Sequence, residues 1–274
     1  MEDTITTFYC LCEEFLKATA HHDDPQVRLS TAEVMTVALT ASAFFGSNMD
    51  RSRLFLHQHG YMPDMISKSR LNRRLHAIPL WRWDALFGIL ATAFKGGNDC
   101  GEYVVDSFPI PVCDNIRIRR CRLYRGEEFR GYIASKKRFF YGLRVHMIVT
   151  AEGGKPVEFF LEAGATNDNS AFKSFELDLP EGSTIYADKQ YNDYQYEDLI
   201  EEAASIRMRP LRKKNSKRPF APFVEYIQQR MRKRIETSFS QIAALLPKKI
   251  HAVTAEGFEL KVVCFVLAFA IQVL

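Results

Sequence analysis

The sequence predicts an α/β protein, a mixed sheet flanked by helices, preceded by an all-helical N-terminal region. Three observations carry that reading. Over the first hundred residues apolar positions recur at helical spacing. The cluster Gly96-Gly97-Asn98-Asp99 then breaks the pattern. After it, short apolar runs bounded by turn signals alternate with helical stretches, which predicts an antiparallel meander first and parallel crossovers later.

The elements follow in order. Thr4–Ala18 places Ile5, Phe8, Leu11, Phe15 and Leu16 on one helical face. Ser30-Thr-Ala-Glu33 is a capping box that opens a second helix through Val34, Val37, Ala38 and Ala41. Helices follow over Asp50–His59, Met65–Ala77 and Trp81–Lys95, each bounded by Gly or Pro. Beyond the breaker, Tyr103-Val104-Val105 is a short strand ending at Asp106, with Pro109 and Pro111 just past it. Phe139–Ala151 and Pro156–Ala163 form a hairpin around Glu152-Gly153-Gly154-Lys155. Asn169–Phe175 reads as a short helix, and Thr184–Ala187 as a strand ending at Asp188. Tyr194–Ala204 is helical, Ile206–Arg209 a strand, and Phe223–Leu246 a long helix stopped at Pro247. Ala255–Leu274 closes the chain as a mostly apolar helix. The expected domains are therefore 1–97, 98–254 and a C-terminal helix, 255–274, packed on the second of these.

Composition narrows the function classes. Of the 274 residues, 47% are hydrophobic and 26% charged, as in a globular protein with a sizeable core. No stretch reaches the roughly 18 uninterrupted apolar residues of a membrane span, and the nearest, Val262–Leu274, is shorter and contains Gln272. The opening MEDTITTFYC carries acids where a secretory signal carries bases, so a cytoplasmic protein with no membrane partner is expected. Cys10, Cys12, Cys100, Cys113, Cys121 and Cys264 form no CxxC pair and have no histidines at zinc spacing, so they read as scattered thiols. The histidines likewise read as structural, with His146 in mid-strand the one expected to be buried. No nucleotide-binding glycine loop is present.

The net charge of +4 conceals its distribution. Arg117–Arg144 holds 10 basic residues against Glu127 and Glu128, and Ser205–His251 holds 13 against Glu225 and Glu236. The rest of the chain has 14 basic and 29 acidic residues. Two basic blocks beside acids in apolar settings point to a polyanion partner.

Asp106 and Asp188 each follow an apolar strand, where an α/β sheet places function on its rim. Glu236 lies in a basic helical run, Arg230-Met231-Arg232-Lys233-Arg234-Ile235-Glu236. Three clustered carboxylates raise one another's pKa unless a cation offsets them. Mg²⁺ suits such oxygen donors, and two ions can stabilise the attacking and leaving oxygens of an in-line displacement at phosphorus. The acids with the basic blocks therefore point to phosphodiester chemistry.

These residues carry a resemblance. The chain resembles the DDE transposases of bacterial insertion sequences, most closely the IS982 family, over nearly its whole length. The matching motifs are Val-Val-Asp106-Ser107, Ala-Asp188-Lys189-Gln190-Tyr191-Asn192-Asp193 and Arg232-x-x-x-Glu236, with Ile66-Ser-Lys68-Ser-Arg70-Leu-Asn72-Arg73-Arg74-Leu-His76 upstream. The resemblance implies a ribonuclease-H-like core in which Asp106, Asp188 and Glu236 hold two Mg²⁺ or Mn²⁺ ions. It also implies double-stranded DNA as partner, both terminal inverted repeats and target, a homodimer on DNA, and a nucleoid-associated location. Lys189 and Arg232 would position phosphates. Two departures stand out: Gln190 replaces a frequent Gly, and Gln229 and Ala243 replace the Tyr and Lys of the wider group's extended signature. The Tyr and Lys roles therefore do not carry over; Lys248 and Lys249 are the cations that could substitute for the Lys.

Lys68, Arg70, Asn72, Arg73 and Arg74 lie on a candidate helix behind a Pro-led turn, as in a helix-turn-helix. Arg and Asn are the side chains that pair bidentately with guanine and adenine edges. Two alternatives remain at this stage: a metal-dependent nuclease of the same fold without strand transfer, and a catalytically silent DNA-binding repressor derived from a transposase.

Overall fold

The computed structural model describes residues 1–247 and 249–274, and all side chains among them but those of Ser135, Arg232, Arg234, Ile235 and Ser238. In chain order the main elements are α1 (Glu2–Ala18), α2 (Thr31–Phe44), α3 (Met49–Gln58), α4 (Lys68–Ala77), α5 (Leu80–Gly96), β1 (Glu102–Cys113), β2 (Arg130–Ile133), β3 (Arg138–Thr150), β4 (Pro156–Ala163), α6 (Asp168–Phe172), β5 (Thr184–Ala187), α7 (Tyr194–Ala204), β6 (Arg207–Pro210), α8 (Pro222–Leu245) and α9 (Ala255–Gln272). They form two compact units, Met1–Leu90 with Ala244–Leu274, and Ala91–Ala243. No helix among the described residues is long and apolar enough to cross a membrane.

The helical unit is organised around α2. Ser30 caps it as the sequence predicts: Ser30 Oγ accepts from the Glu33 N–H (3.1 Å) and Glu33 Oε2 accepts from the Ser30 N–H (2.6 Å). Apart from Glu33, every residue from Thr31 to Ser42 is buried, as expected of a helix that is apolar all round. Its neighbours are α1, α3, α4 and α9. Helix α9 is equally apolar, with Val262–Ile271 buried without interruption. The sequence reading sets it on the second region, whereas it falls in the helical unit. A helix without a polar face needs burial on all sides, and α9 finds it against α1 and α2 in the helical unit.

The expected break at Gly96–Asp99 also shifts, because α5 divides after Leu90. Its last turn belongs to the second unit. Lys95 Nζ donates to the Asp178 carboxylate (2.6 Å), and the Lys155 ammonium lies 5.2 Å from the Phe94 ring centre.

The second unit is built on a six-stranded mixed sheet in the order β2-β3-β1-β5-β6, with β4 also paired to β3. The β3–β4 hairpin turns where predicted, with Gly153 and Gly154 at φ of 78° and 62°, a left-handed conformation that glycine adopts without a Cβ penalty. Strand β2 is an addition to the predicted set; four residues, Arg-Gly-Tyr-Ile, carry too little alternation to announce a strand.

Strand β1 is longer than predicted and runs through both prolines to Cys113. The reason is parity. Its Glu102 carbonyl accepts from Ala151 at the end of β3, whereas the Ser107 N–H turns away to the Asp106 carboxylate. Pro109 and Pro111 share the parity of Ser107, so their missing N–H groups cost β1 no bond to β3. On its other edge β1 pairs with β5 over Glu102–Val104 alone.

Candidate active site

The divergence of β1 from β5 creates the site. The last paired row is Val104 with Tyr186, so two further rows of the same register would bring Asp106 opposite Asp188. Asp106 therefore lies within β1, opposite Met147 of β3, and not at a strand end as its sequence setting suggests. Strand β5 does end at Ala187, and Asp188 follows as the cap of a short 3-10 turn, its Oδ1 accepting from the Lys189 N–H (2.7 Å).

Helix α8 brings the third acid. Gln228 Nε2 donates to the Arg209 carbonyl of β6 (3.3 Å), and Phe239 meets Phe108 of β1 edge-on at 6.1 Å. Among the described residues of α8, Gln228, Met231, Phe239 and Ile242 form a buried stripe. Glu236 stands at the margin of that stripe, exposed to solvent. Asp106, Asp188 and Glu236 all line one cavity of about 60 Å³, whose wall also includes Arg209 and Gln228. Among the described residues no three His, Cys, Asp or Glu groups stand close enough together to hold one metal ion. The acids thus share a cleft without forming a closed cage.

The electrostatics single out Asp106. Burial pushes its carboxyl up to about 7; the Ser107 N–H opposes it most, the charges of Asp168 and Asp188 add to it, and Arg144 opposes it least. Asp168 begins α6 and is held from the sheet: Ser107 Oγ donates to its Oδ1 at 2.7 Å, and the Arg144 guanidinium lies 3.5 Å away while donating to Ser107 Oγ (3.1 Å). His146 is fully buried, as expected, and burial pulls it down to about 4, so its 3.8 Å approach to Asp168 is that of a neutral ring and not an ion pair. Burial, then Asp168 and Asp106, push the Tyr191 hydroxyl well above the usual phenol value. Reading the sequence missed Asp168, Arg144, Arg209 and Gln228. Arg144 had a signal: a cation within the apolar run Leu143–Val149 of β3 calls for an acidic partner.

The remaining candidates lie on two elements. Lys189 is exposed beside Asp188. Arg232 is on α8, but its side chain lies outside the described residues, as does Lys248. On α4, Leu71 and Leu75 are buried while Lys68, Arg70, Asn72 and Arg73 are exposed. Arg74 departs from that face. It donates to the Leu29 carbonyl, to Asp23 Oδ1 (2.9 Å) and to Thr31 Oγ1 (3.2 Å), so it ties α4 to the loop before α2 and does not share the exposed face of the other four. Burial works against the Asp23 charge, but the Thr31 hydrogen bonds and Arg74 outweigh it and hold that carboxyl below its ordinary value.

Residues 96–251 match the family model described as "Transposase DDE domain", a span that includes all three acids. No curated protein matches the chain. Among solved structures, the cryo-EM structure of a piggyBac transposase synaptic complex with hairpin DNA aligns over 98% of this chain and 72% of that one, with 11% identity and a TM-score of 0.46.

Proposed function

The chain belongs to the transposase DDE domain family, and on that premise we propose that it binds the terminal inverted repeats of an insertion sequence of the IS982 type, cuts DNA at the element ends, and joins the freed 3′-hydroxyl to target DNA. The observation that carries the reading is the single cleft lined by Asp106, Asp188 and Glu236. In this reading the sheet unit, Ala91–Ala243, is the ribonuclease-H-like catalytic core, and the α4 face of Lys68, Arg70, Asn72 and Arg73 reads the repeats. Two protomers would hold the two ends.

The donor set fits a hard divalent cation. All three groups offer carboxylate oxygens, and the raised Asp106 marks a place where negative charge is costly until a cation offsets it. Asp106, Asp188 and Glu236 would hold Mg²⁺ or Mn²⁺, and the ions when bound supply the activation of water and the stabilisation of phosphoryl oxygens. The chain's own residues do the rest. The Ser107 N–H orients Asp106 Oδ1, Asp168 and Arg144 fix Ser107, and Lys189 with Arg232 steadies the backbone phosphates flanking the cut.

The test is incubation with Mg²⁺ and a supercoiled plasmid carrying the gene with the DNA that flanks it, in which the terminal repeats are sought. Cuts at the repeat ends and joined products, both lost in Asp106→Asn, are expected. Cutting by Asp106→Asn overturns the scheme, and cutting without joining leaves a nuclease.

A further inference from the structure

The β2–β3 hairpin carries a feature that the three acids do not use. Tyr132 and Phe139 are directly paired across the two strands, with ring centres 5.0 Å apart, and both are exposed, at 47% and 56%. Aromatic side chains so exposed at the edge of a sheet invite aggregation unless charge protects them or a partner covers them. The charge around them is mostly positive, although Glu127 pairs with Arg130 (3.4 Å) and Asp168 lies 3.5 Å from Arg144. From Arg130 to Thr150 the sequence has Arg130, Lys136, Lys137, Arg138 and Arg144 and no acid.

The hairpin also adjoins a cavity of about 490 Å³, within the range of ligand-sized sites, whose wall includes Arg130, Tyr132, Asp168, Gln190 and Lys213. Two glycines bring bare backbone together at this point. A Cβ on Gly131 would lie 2.2 Å from the Gly164 carbonyl oxygen, and one on Gly164 would lie 2.8 Å from that of Gly142. One guanidinium links this place to the acidic cleft, since Arg144 donates both to the Tyr132 carbonyl (3.3 Å) and to Ser107 Oγ (3.1 Å), beside Asp106.

We propose that the hairpin is a single-strand DNA site: an unpaired base beside the cut stacks on Tyr132 and Phe139, and its phosphate enters the adjoining cavity against Arg130 and Lys213. Exposed aromatics set among cations are what sequence-tolerant binding of single strands requires, because every base has a π-face and every nucleotide a charge. A second copy of this chain is the poorer occupant, since two hairpins that each carry an excess of cations, Lys136, Lys137 and Arg138 beyond the paired Arg130 and Arg144, repel. The proposal rests on DNA being the substrate, but not on the acids cutting it.

The test uses the full chain carrying Asp106→Asn, in EDTA, so that no cleavage intervenes. Its affinity is measured for a single-stranded oligonucleotide containing 2-aminopurine and for a duplex of the same length. Tyr132→Ala with Phe139→Ala is expected to weaken single-strand binding at least tenfold, the scale of losing about 1–3 kcal/mol per stacked base. It should abolish the 2-aminopurine quench and change duplex affinity less than about twofold, the effect expected of a loss confined to unpaired bases. Tyr132→Trp and Phe139→Trp should restore both signals. Unchanged single-strand affinity, or equal losses on single strand and duplex, overturns the proposal. So does a wild-type dimer in sedimentation that the double variant dissociates without losing single-strand binding. Each single Ala variant repeats the test should the double variant not fold. Single-strand binding through these rings in a chain that never cuts repeat DNA would sink the transposase reading alone; cutting with no role for the rings would sink this proposal alone.

Discussion

Replacing Asp106 by Asn should make the protein more stable at neutral pH while it removes cleavage. Burial first, then Asp168 and Asp188, raise this carboxyl from 3.8 to about 7. The direction sets the sign. A raised acid is a penalty on the folded state, absent below about pH 4, growing as pH rises and complete above about pH 7. A shift of about 3 units at about 1.4 kcal/mol each gives a ceiling of about 4 kcal/mol. Relaxation and water entry, expressed as an effective dielectric of about 20, bring the expected gain to about 1–3 kcal/mol. Asn keeps an oxygen for the Ser107 N–H, 2.8 Å from Oδ1, so the substitution orphans no donor there. Urea denaturation in EDTA at pH 5 and pH 8 measures the effect. Linkage makes the gain at pH 8 larger than that at pH 5, by about 2.5-fold for the full shift and by less as the shift shrinks. An equal gain at both values, or a less stable Asn protein at pH 8, would refute the electrostatic account. Added Mg²⁺ should stabilise the wild type and leave Asp106→Asn unmoved, since binding to the folded state alone adds stability.

Four further outcomes follow from named contacts. Asp168→Asn removes one of the charges that raise Asp106 while keeping an acceptor for Ser107, so the acid limb of the Mg²⁺-dependent cleavage profile should move to lower pH; an unmoved limb would show that burial acts alone. Glu197→Ala removes the two carboxylate bonds (2.7 and 2.6 Å) of the Arg212 guanidinium, which is 6% exposed and retains Asn192 Oδ1 (2.8 Å), and should cost up to about 3–5 kcal/mol in urea denaturation. Gly131→Ala forces a methyl against the Gly164 carbonyl and the Phe140 ring and should lower stability by about 1–3 kcal/mol, with the thermal midpoint as readout. Arg73→Ala should weaken repeat binding and flatten its salt dependence by about one unit with an unchanged melting temperature, whereas Arg74→Ala should lower that temperature; the reverse pattern would exchange their roles.

Much of the helical architecture is legible because caps and periodicity are local. The Ser30–Glu33 box and the Gly153-Gly154 turn are complete within a few residues, so reading them requires no knowledge of the fold. What escaped depends on partners distant in sequence. Strand β2 exists because β3 offers it an edge, and its four residues say nothing of that. Helix α9 looks like a free apolar helix until α2, more than two hundred residues earlier, supplies the surface that covers it. Asp168 reads as the first residue of a short helix, and its importance comes from Ser107, 61 residues away, and Arg144, 24 away.

The acids show the same limit in finer form. Asp106 was found through its position after Val104-Val105, on the premise that the strand stopped there, and the strand does not stop. What stops is the pairing with β5, two residues before Asp106, because β5 is four residues long and gives way to the turn capped by Asp188. The cleft is therefore a product of unequal strand lengths. β1 holds Asp106 rigidly through its antiparallel partner β3, while the vacated edge leaves room for Asp188, Arg209 and the side chains of α8. The prolines at 109 and 111 belong to this arrangement. They remove the N–H groups that β1 would otherwise present to a lengthened β5, so the edge beside Asp106 stays open and the carboxylate faces a cavity.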